Sequence, residues 1–248
     1  MGKKIPSIIH QIWSGVDGPL PEHFRVLGET WKRDYPNWEY KLWDNRMMNE
    51  FIQEFYPQYW DIYNQFPYNV QRWDAIRYLI LNKIGGMYVD FDYESIEPID
   101  ELIKDKTCCF ALEPKSHCKV FKREIGQVFN NALMLCESGH PFMQKIVETV
   151  FTEEMVNYKA SKDLCVYNTT GPWILIDLYD SLSEQEKNEV YLIPAKYVTP
   201  FDLVQAQRFR YGEMSERNWK IVWKRHLPFT IFLATGDNIF KISSKTQT

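Results

Sequence analysis

The sequence predicts an α/β fold, a mixed central sheet flanked by helices in a single domain. Three observations predict it. Short apolar runs bounded by turn residues alternate with segments of helical period. The clearest helical segment, residues 69–84, stops at Gly85-Gly86 and passes at once into an apolar strand, 87–93. A chain of 248 residues, 45% hydrophobic and 16% aromatic, is long enough for one large core.

The elements follow in order. SIIHQIW (7–13), between Pro6 and Ser14-Gly15, reads as a buried strand, and residues 14–23 as a loop. Residues 22–34 can form a helix that ends before Tyr35-Pro36. WEYKLWD (38–44) alternates and reads as a second strand. Asn45 is a candidate cap for a helix at 46–55. Pro57 and Pro67 break 56–68 into short helical pieces. In 69–84, Val70, Trp73, Ile76, Ile80 and Ile84 recur at three- and four-residue spacing. Further on, the pattern predicts a strand at 107–113 and helices around 124–137 and 141–155. TTGPW (169–173) is a turn into a helix at 174–182, and 190–198 is a strand. The order fits a Rossmann-like core with β-rich additions.

Net charge is −4, so no strong global field favours nucleic acid. No run approaches the ~18 apolar residues of a membrane span, and the N-terminus lacks a signal-peptide pattern. The five cysteines (Cys108, Cys109, Cys118, Cys136, Cys165) are odd in number and lack C-x-x-C spacing. They read as reduced thiols of a cytoplasmic protein rather than as disulfides or zinc ligands.

GGMYVDFDYES (85–95) carries the chemistry. In an extended strand, Met87, Val89 and Phe91 share one face, and Tyr88, Asp90 and Asp92 the other. Two carboxylates roughly 7 Å apart suit a hard divalent cation such as Mn²⁺ or Mg²⁺. The bland alternative is an acidic turn in solvent. On the preceding helix Asp74 and Arg77 stand three residues apart, either as a surface ion pair or as a pair that holds sugar hydroxyls and phosphate. Helix, Gly-Gly stop and strand bring all four groups to one sheet edge, where α/β proteins bind ligands.

These segments, with IPSIIHQIWSG (5–15), NWEYKLWD (37–44), NNALMLCESGHPF (130–142) and TGP (170–172), resemble glycosyltransferase family 32. That family includes initiating mannosyltransferases and, more distantly, clostridial glucosylating toxins. The resemblance implies a GT-A fold, a nucleotide-sugar donor, a divalent metal and retention of anomeric configuration. Residue by residue, it implies that Trp13 stacks on the nucleobase, plain core being the alternative, with Ile12 contributing backbone contacts. Asp74 would hold sugar hydroxyls beside Arg77, with Tyr88 near the donor phosphate or ribose. Asp90 would touch ribose, sugar and metal-bound water, and Asp92 would ligate the metal directly. Asn131, beside Asn130, would lie near the donor, or else cap a helix or sit on the surface. The catalytic set is therefore Asp74, Asp90 and Asp92.

The C-terminal part departs from the family, whose relatives commonly end with a histidine pair and then Ser-Trp. NWKIVWKRHLPF (218–229) has the single His226 and no Ser-Trp, so His226 is either a third metal ligand in a drifted motif or a basic surface residue. Residues 207–226 concentrate Arg208, Arg210, Arg217, Lys220, Lys224 and Arg225 around Trp219 and Trp223. They read as a lid over the diphosphate, as a patch on an anionic bilayer, or as a solvated helix.

The combined expectation is one domain over 1–248. Residues 5–172 form the nucleotide-sugar and D-x-D core, and 173–248 the acceptor side and C-terminal lid. It would move a hexose from UDP-galactose, UDP-glucose or GDP-mannose to a glycan or lipid-linked acceptor in surface polysaccharide or glycolipid synthesis. It would work in the cytoplasm or on the inner membrane face. The competing expectations are a metal-dependent sugar-nucleotide hydrolase and a silent nucleotide-sugar-binding module.

Overall fold

The structure, a computed structural model, describes residues 5–120, 127–201 and 231–233. Its centre is a mixed six-stranded sheet of order β2-β1-β3-β6-β5-β7. The strands are β1 Ile8–Ile12, β2 Glu39–Trp43, β3 Gly86–Val89, β5 Cys108–Leu112, β6 Phe129–Cys136 and β7 Tyr191–Ile193. β1 is parallel to both β2 and β3, β6 is antiparallel to both β3 and β5, and β7 is parallel to β5. A separate ladder pairs β4 Tyr93–Ser95 with β8 Ile231–Leu233.

The helices are α1 Glu22–Asp34, α2 Asn45–Phe55, α3 Trp60–Gln65, α4 Asn69–Lys83, α5 Asp100–Ile103, α6 Lys115–Val120, α7 Pro141–Val150, α8 Glu153–Asn157, α9 Lys162–Thr169, α10 Pro172–Asp180, α11 Glu184–Asn188 and α12 Ala195–Val198. No helix of the described residues is long and apolar enough to cross a membrane.

Alternating strand residues feed two cores. Tyr88, Met134, Cys136, Cys108 and Phe110 pack on one face with α4 and α7. Met87, Val89, Leu133, Leu135 and Cys109 pack on the other, with Trp31 of α1. β3 is therefore buried on both faces, and Tyr88 is a core residue on the α4 side rather than a solvent-facing one. α4 is enclosed as well: its residues from Asp74 to Leu81 are all buried, charged ones included.

Four expectations need correction. Residues 129–136 are the strand β6, not the end of a helix. β6 lies between β3 and β5, and a strand buried on both sides loses the period-two alternation that marks half-buried strands. The long helix expected at 141–155 is two helices, α7 and α8, and the strand expected at 190–198 stops at Ile193. The cap of α2 is Asp44, whose side chain accepts from the Met47 N–H at 2.7 Å, one residue earlier than Asn45.

The Gly85-Gly86 stop is required by contact as well as conformation. Gly86 has φ of +103°, and a Cβ there would stand 2.6 Å from the Ile8 carbonyl oxygen. This closeness lets α4 turn straight into a strand beside β1.

Candidate functional site

The site gathers where β1 and β3 end and β6 begins, beside the middle of α4. β3 stops at Val89, short of the aspartates. The Asp90 N–H still donates to the Ala132 carbonyl at 2.8 Å, and the Tyr93 N–H then donates back to the Asp90 carbonyl at 3.2 Å. Asp90-Phe91-Asp92 therefore forms a turn between β3 and β4, not a strand. The alternating-face geometry expected for an extended D-x-D does not hold.

The opposing strand is shaped to meet this turn. The β5–β6 register slips between Phe110 and Ala111, from Phe110 opposite Met134 to Ala111 opposite Asn130. The extra residues, Asn131 to Leu133, bulge away from β5 toward α4 and Asp90. The Asn130 side-chain oxygen accepts from the Ala132 N–H at 3.1 Å and holds the bulge. Its amide donates to the Tyr93 hydroxyl at 3.1 Å and to Glu113 at 2.5 Å.

An ionic cluster fills the space between. Arg77 Nη2 meets Asp74 Oδ1 at 2.9 Å, and Arg77 Nη1 meets Asp90 Oδ1 at 3.3 Å. Arg77 Nη1 also donates to the Asn131 carbonyl at 2.9 Å. The guanidinium lies 4.4 Å from the centre of the Tyr88 ring, and the Tyr88 hydroxyl donates to Asp90 Oδ1 at 2.5 Å. Asp74 is further held by the Asn131 amide at 3.1 Å and the Thr170 hydroxyl at 3.2 Å.

The Asp74 and Arg77 side chains are each only 7% exposed, which removes the surface-ion-pair alternative. Burial opposes the Arg77 charge, but Asp90, Tyr88 and Asp74 outweigh it and hold the guanidinium above its ordinary pKa. Burial raises Asp74 to about 6 in spite of Arg77. The cluster fixes Asp90 in place with a permanent cation behind it.

Asp92 is different. Its Oδ1 is shut off from solvent and meets no hydrogen-bond donor among the described residues. Burial first, and then the Asp90 charge, raise its carboxyl to about 7 against smaller opposing effects of its own backbone N–H and Arg77. A buried carboxylate oxygen without a donor is costly unless a cation meets it. The donor set at this turn, two carboxylates with one such oxygen, fits a hard divalent ion.

The sequence-predicted residues Asp74, Arg77, Tyr88, Asp90 and Asn131 form one continuous network, with Asp92 at its open end. Trp13 and Ile12 lie at the end of β1, both half-buried. The Trp13 indole N–H donates to the Gly18 carbonyl at 3.0 Å, folding the 14–21 loop back on itself. Its ring meets Phe91 edge-on at 6.2 Å and Phe24 at 5.7 Å. His226 and the 207–226 basic segment lie outside the described residues.

Three participants were not anticipated. Gln11 donates to the Asp90 carbonyl at 3.4 Å and accepts from the Tyr40 hydroxyl. Thr170 reaches Asp74 from 96 residues away. The Tyr78 hydroxyl accepts from Asn131 at 2.9 Å and donates to the Thr170 carbonyl at 2.6 Å. TGP pointed at the Thr170 turn but not at its side chain, and nothing local marked Gln11.

Residues 21–109 match the family model described as glycosyltransferase sugar-binding region containing DXD motif. The chain is similar to inositol phosphoceramide mannosyltransferase 1 of Schizosaccharomyces pombe, 34% identical over 178 residues, 70% of this chain and 50% of that protein. It is similar to inositol phosphoceramide mannosyltransferase 3 of the same organism, 33% identical over 172 residues, 69% of this chain and 44% of that one. The chain thus spans about half the length of these curated relatives. Among solved structures it is similar to the PaToxG glycosyltransferase, with a TM-score of 0.55 and 16% identity over 75% of this chain and 74% of that one. That likeness concerns the fold, which is of the GT-A type.

Proposed function

We propose that this chain, whose residues 21–109 belong to the family of glycosyltransferase sugar-binding regions containing a DXD motif, is a metal-dependent retaining hexosyltransferase. The observation that carries the reading is the orphaned Asp92 Oδ1 in a turn whose other carboxylate, Asp90, is pinned by Arg77 and Tyr88. Asp92 would hold Mn²⁺ or Mg²⁺ directly, with Asp90 beside it and His226 as a candidate third ligand. The ion, when bound, supplies charge stabilisation to the departing nucleoside diphosphate.

The chain's own residues do the rest. Asp90 keeps one oxygen on Arg77 and Tyr88 and offers its remaining acceptor capacity to ribose or sugar hydroxyls. Trp13, half-buried at the end of β1, presents a ring to the nucleobase, and Ile12 lines the same edge. Asn131 and Thr170 hold Asp74, so Asp74 acts by setting the position of Arg77 and the β6 bulge as well as through any sugar hydroxyl it accepts. Its oxygens are already engaged by Arg77, Asn131 and Thr170, which unsuits it as a nucleophile. A front-face reaction follows: the acceptor hydroxyl attacks from the side the diphosphate leaves, and the leaving phosphate takes the proton.

The relatives named for mannosyl transfer to inositol phosphoceramide favour mannose, from GDP-mannose, and a phosphoinositol lipid acceptor. UDP-galactose and UDP-glucose remain in the donor panel. Residues 5–172 supply the donor half, and the rest of the chain the acceptor side, within one domain. The pairing of β8 with β4 directly after the D-x-D turn supports that continuity.

The test is transfer of labelled hexose from each donor to phosphoinositol lipid and to oligosaccharide acceptors, with Mn²⁺ or with chelator. Metal-dependent, acceptor-dependent product with the donor's anomeric configuration is expected. Donor consumption unaffected by acceptor would identify a hydrolase, and donor binding without turnover a silent module.

A further inference from the structure

A second constellation lies at the opposite end of β3. Cys108 opens β5 and Cys136 closes β6, and the two are cross-strand partners. His140, four residues after Cys136, caps the start of α7. One ligand atom from each of the three lies within 4.8 Å of the others, and all three side chains are buried. Burial first, then Cys136, Cys109 and Glu137, push the Cys108 thiol well up.

Glu137 provides an independent observation. Its Oε2 is buried and meets no hydrogen-bond donor among the described residues. The described residues hold three such orphaned oxygens. One is on Asp92 at the D-x-D turn. The others are on the side chains of Glu137 and of Asn82, whose main-chain carbonyl accepts from the Gly139 N–H at 2.8 Å in the loop between Cys136 and His140. Two thiols and an imidazole gathered in this way make up a donor set for a borderline-soft cation, with the orphaned Glu137 oxygen on the residue that follows Cys136.

We propose that Cys108, Cys136 and His140 bind a structural zinc ion. All five cysteines are free thiols, and for Cys108 and Cys136 the proposal adds a ligand role that no C-x-x-C spacing announces, because the ligands come from separate elements. Cys136 pairs with Gly86, four residues before Asp90, so the ion would sit about 13 Å along the strand from the D-x-D turn. It would tie β5, β6 and the start of α7 together behind the sheet and play no part in transfer.

Binding releases the two thiol protons to solvent, leaving two thiolates on the ion. It also costs the cap that His140 Nδ1 now provides to the Phe142 N–H at 3.2 Å. Ligation through Nδ1 replaces that bond, and ligation through Nε2 puts the ring proton on Nδ1.

The test uses the whole 248-residue chain. After dialysis against metal-free buffer, elemental analysis should find about one zinc per chain. Refolding with Co²⁺ in place of zinc should give the near-ultraviolet thiolate-to-cobalt charge-transfer band. Asp92→Asn should keep both signals, because it removes the hard-cation site alone. The C108S/C136S double variant should lose both. Should that variant fail to fold, the wild-type cobalt spectrum decides by itself. Wild-type protein with no retained zinc and no thiolate band, or a band that survives C108S/C136S, would overturn the proposal.

Discussion

Asp92→Asn should make the metal-free protein more stable while removing its response to metal. The folded-state pKa of Asp92 is raised from 3.8 to about 7, chiefly by burial. The protonated form is therefore favoured on folding, and stability is lost as pH rises from about 3.8 to about 7 and is flat above that. At about 1.4 kcal/mol for each pH unit, the ionised carboxylate costs at most about 4 kcal/mol at pH 8. Asn keeps a neutral oxygen in the place of Oδ1, still without a donor, which retains about 1–3 kcal/mol of that cost. The net expectation is a gain of about 1–3 kcal/mol, read by urea unfolding at pH 8 in metal-free buffer. Adding Mn²⁺ with GDP at about 100 times the dissociation constant should raise wild-type stability by about 2.7 kcal/mol and leave the variant unmoved. A metal-free variant less stable than wild type, or equal metal stabilisation of both, would refute the assignment of Asp92 as the ion's ligand.

Other perturbations test the surrounding structure. Arg77→Met leaves Asp74 and Asp90 without their shared cation and should cost about 3–5 kcal/mol in urea unfolding, whereas a loss below about 1 kcal/mol would mean that the cluster is not held by charge. His10 is a buried neutral imidazole: Nε2 donates to the Gly85 carbonyl at 2.9 Å, and Nδ1 accepts from the Trp43 indole at 3.1 Å. Burial lowers its pKa from 6.5 to about 4, so unfolding binds a proton in that window and about 3 kcal/mol of stability should disappear as pH falls from 6.5 to 4. His10→Gln should flatten that part of the pH profile. Trp13→Ala should weaken donor binding by about 1 kcal/mol, near fivefold, while unchanged affinity would return Trp13 to the aromatic cluster with Phe24 and Phe91.

How much of this was legible depends on how local the cause is. α4 was readable because period, Gly-Gly stop and following strand all lie within one stretch, and the structure runs it from Asn69 to Lys83. β6 was not, because FNNALMLC is buried on both faces and its two asparagines resemble a helix cap. They are instead the residues that hold and line the bulge. The D-x-D pair was visible as chemistry but misplaced as geometry, since the turn depends on Ala132, 42 positions away, capturing the Asp90 N–H. Thr170 and Gln11 join the site only through tertiary contact, and no periodicity can report that. The five cysteines are free thiols, as expected, but the meeting of Cys108 with Cys136 was illegible for the same reason, since register alone brings them together at the other end of the sheet.

The most direct measurement is calorimetric titration of the 248-residue chain with GDP-mannose, UDP-glucose and UDP-galactose, in Mn²⁺ and in EDTA, alongside Asp92→Asn. Binding of one donor in Mn²⁺, lost in EDTA and lost in the variant, is the predicted result. Donor binding that survives both EDTA and Asp92→Asn would contradict a metal-dependent site at the Asp90-Phe91-Asp92 turn.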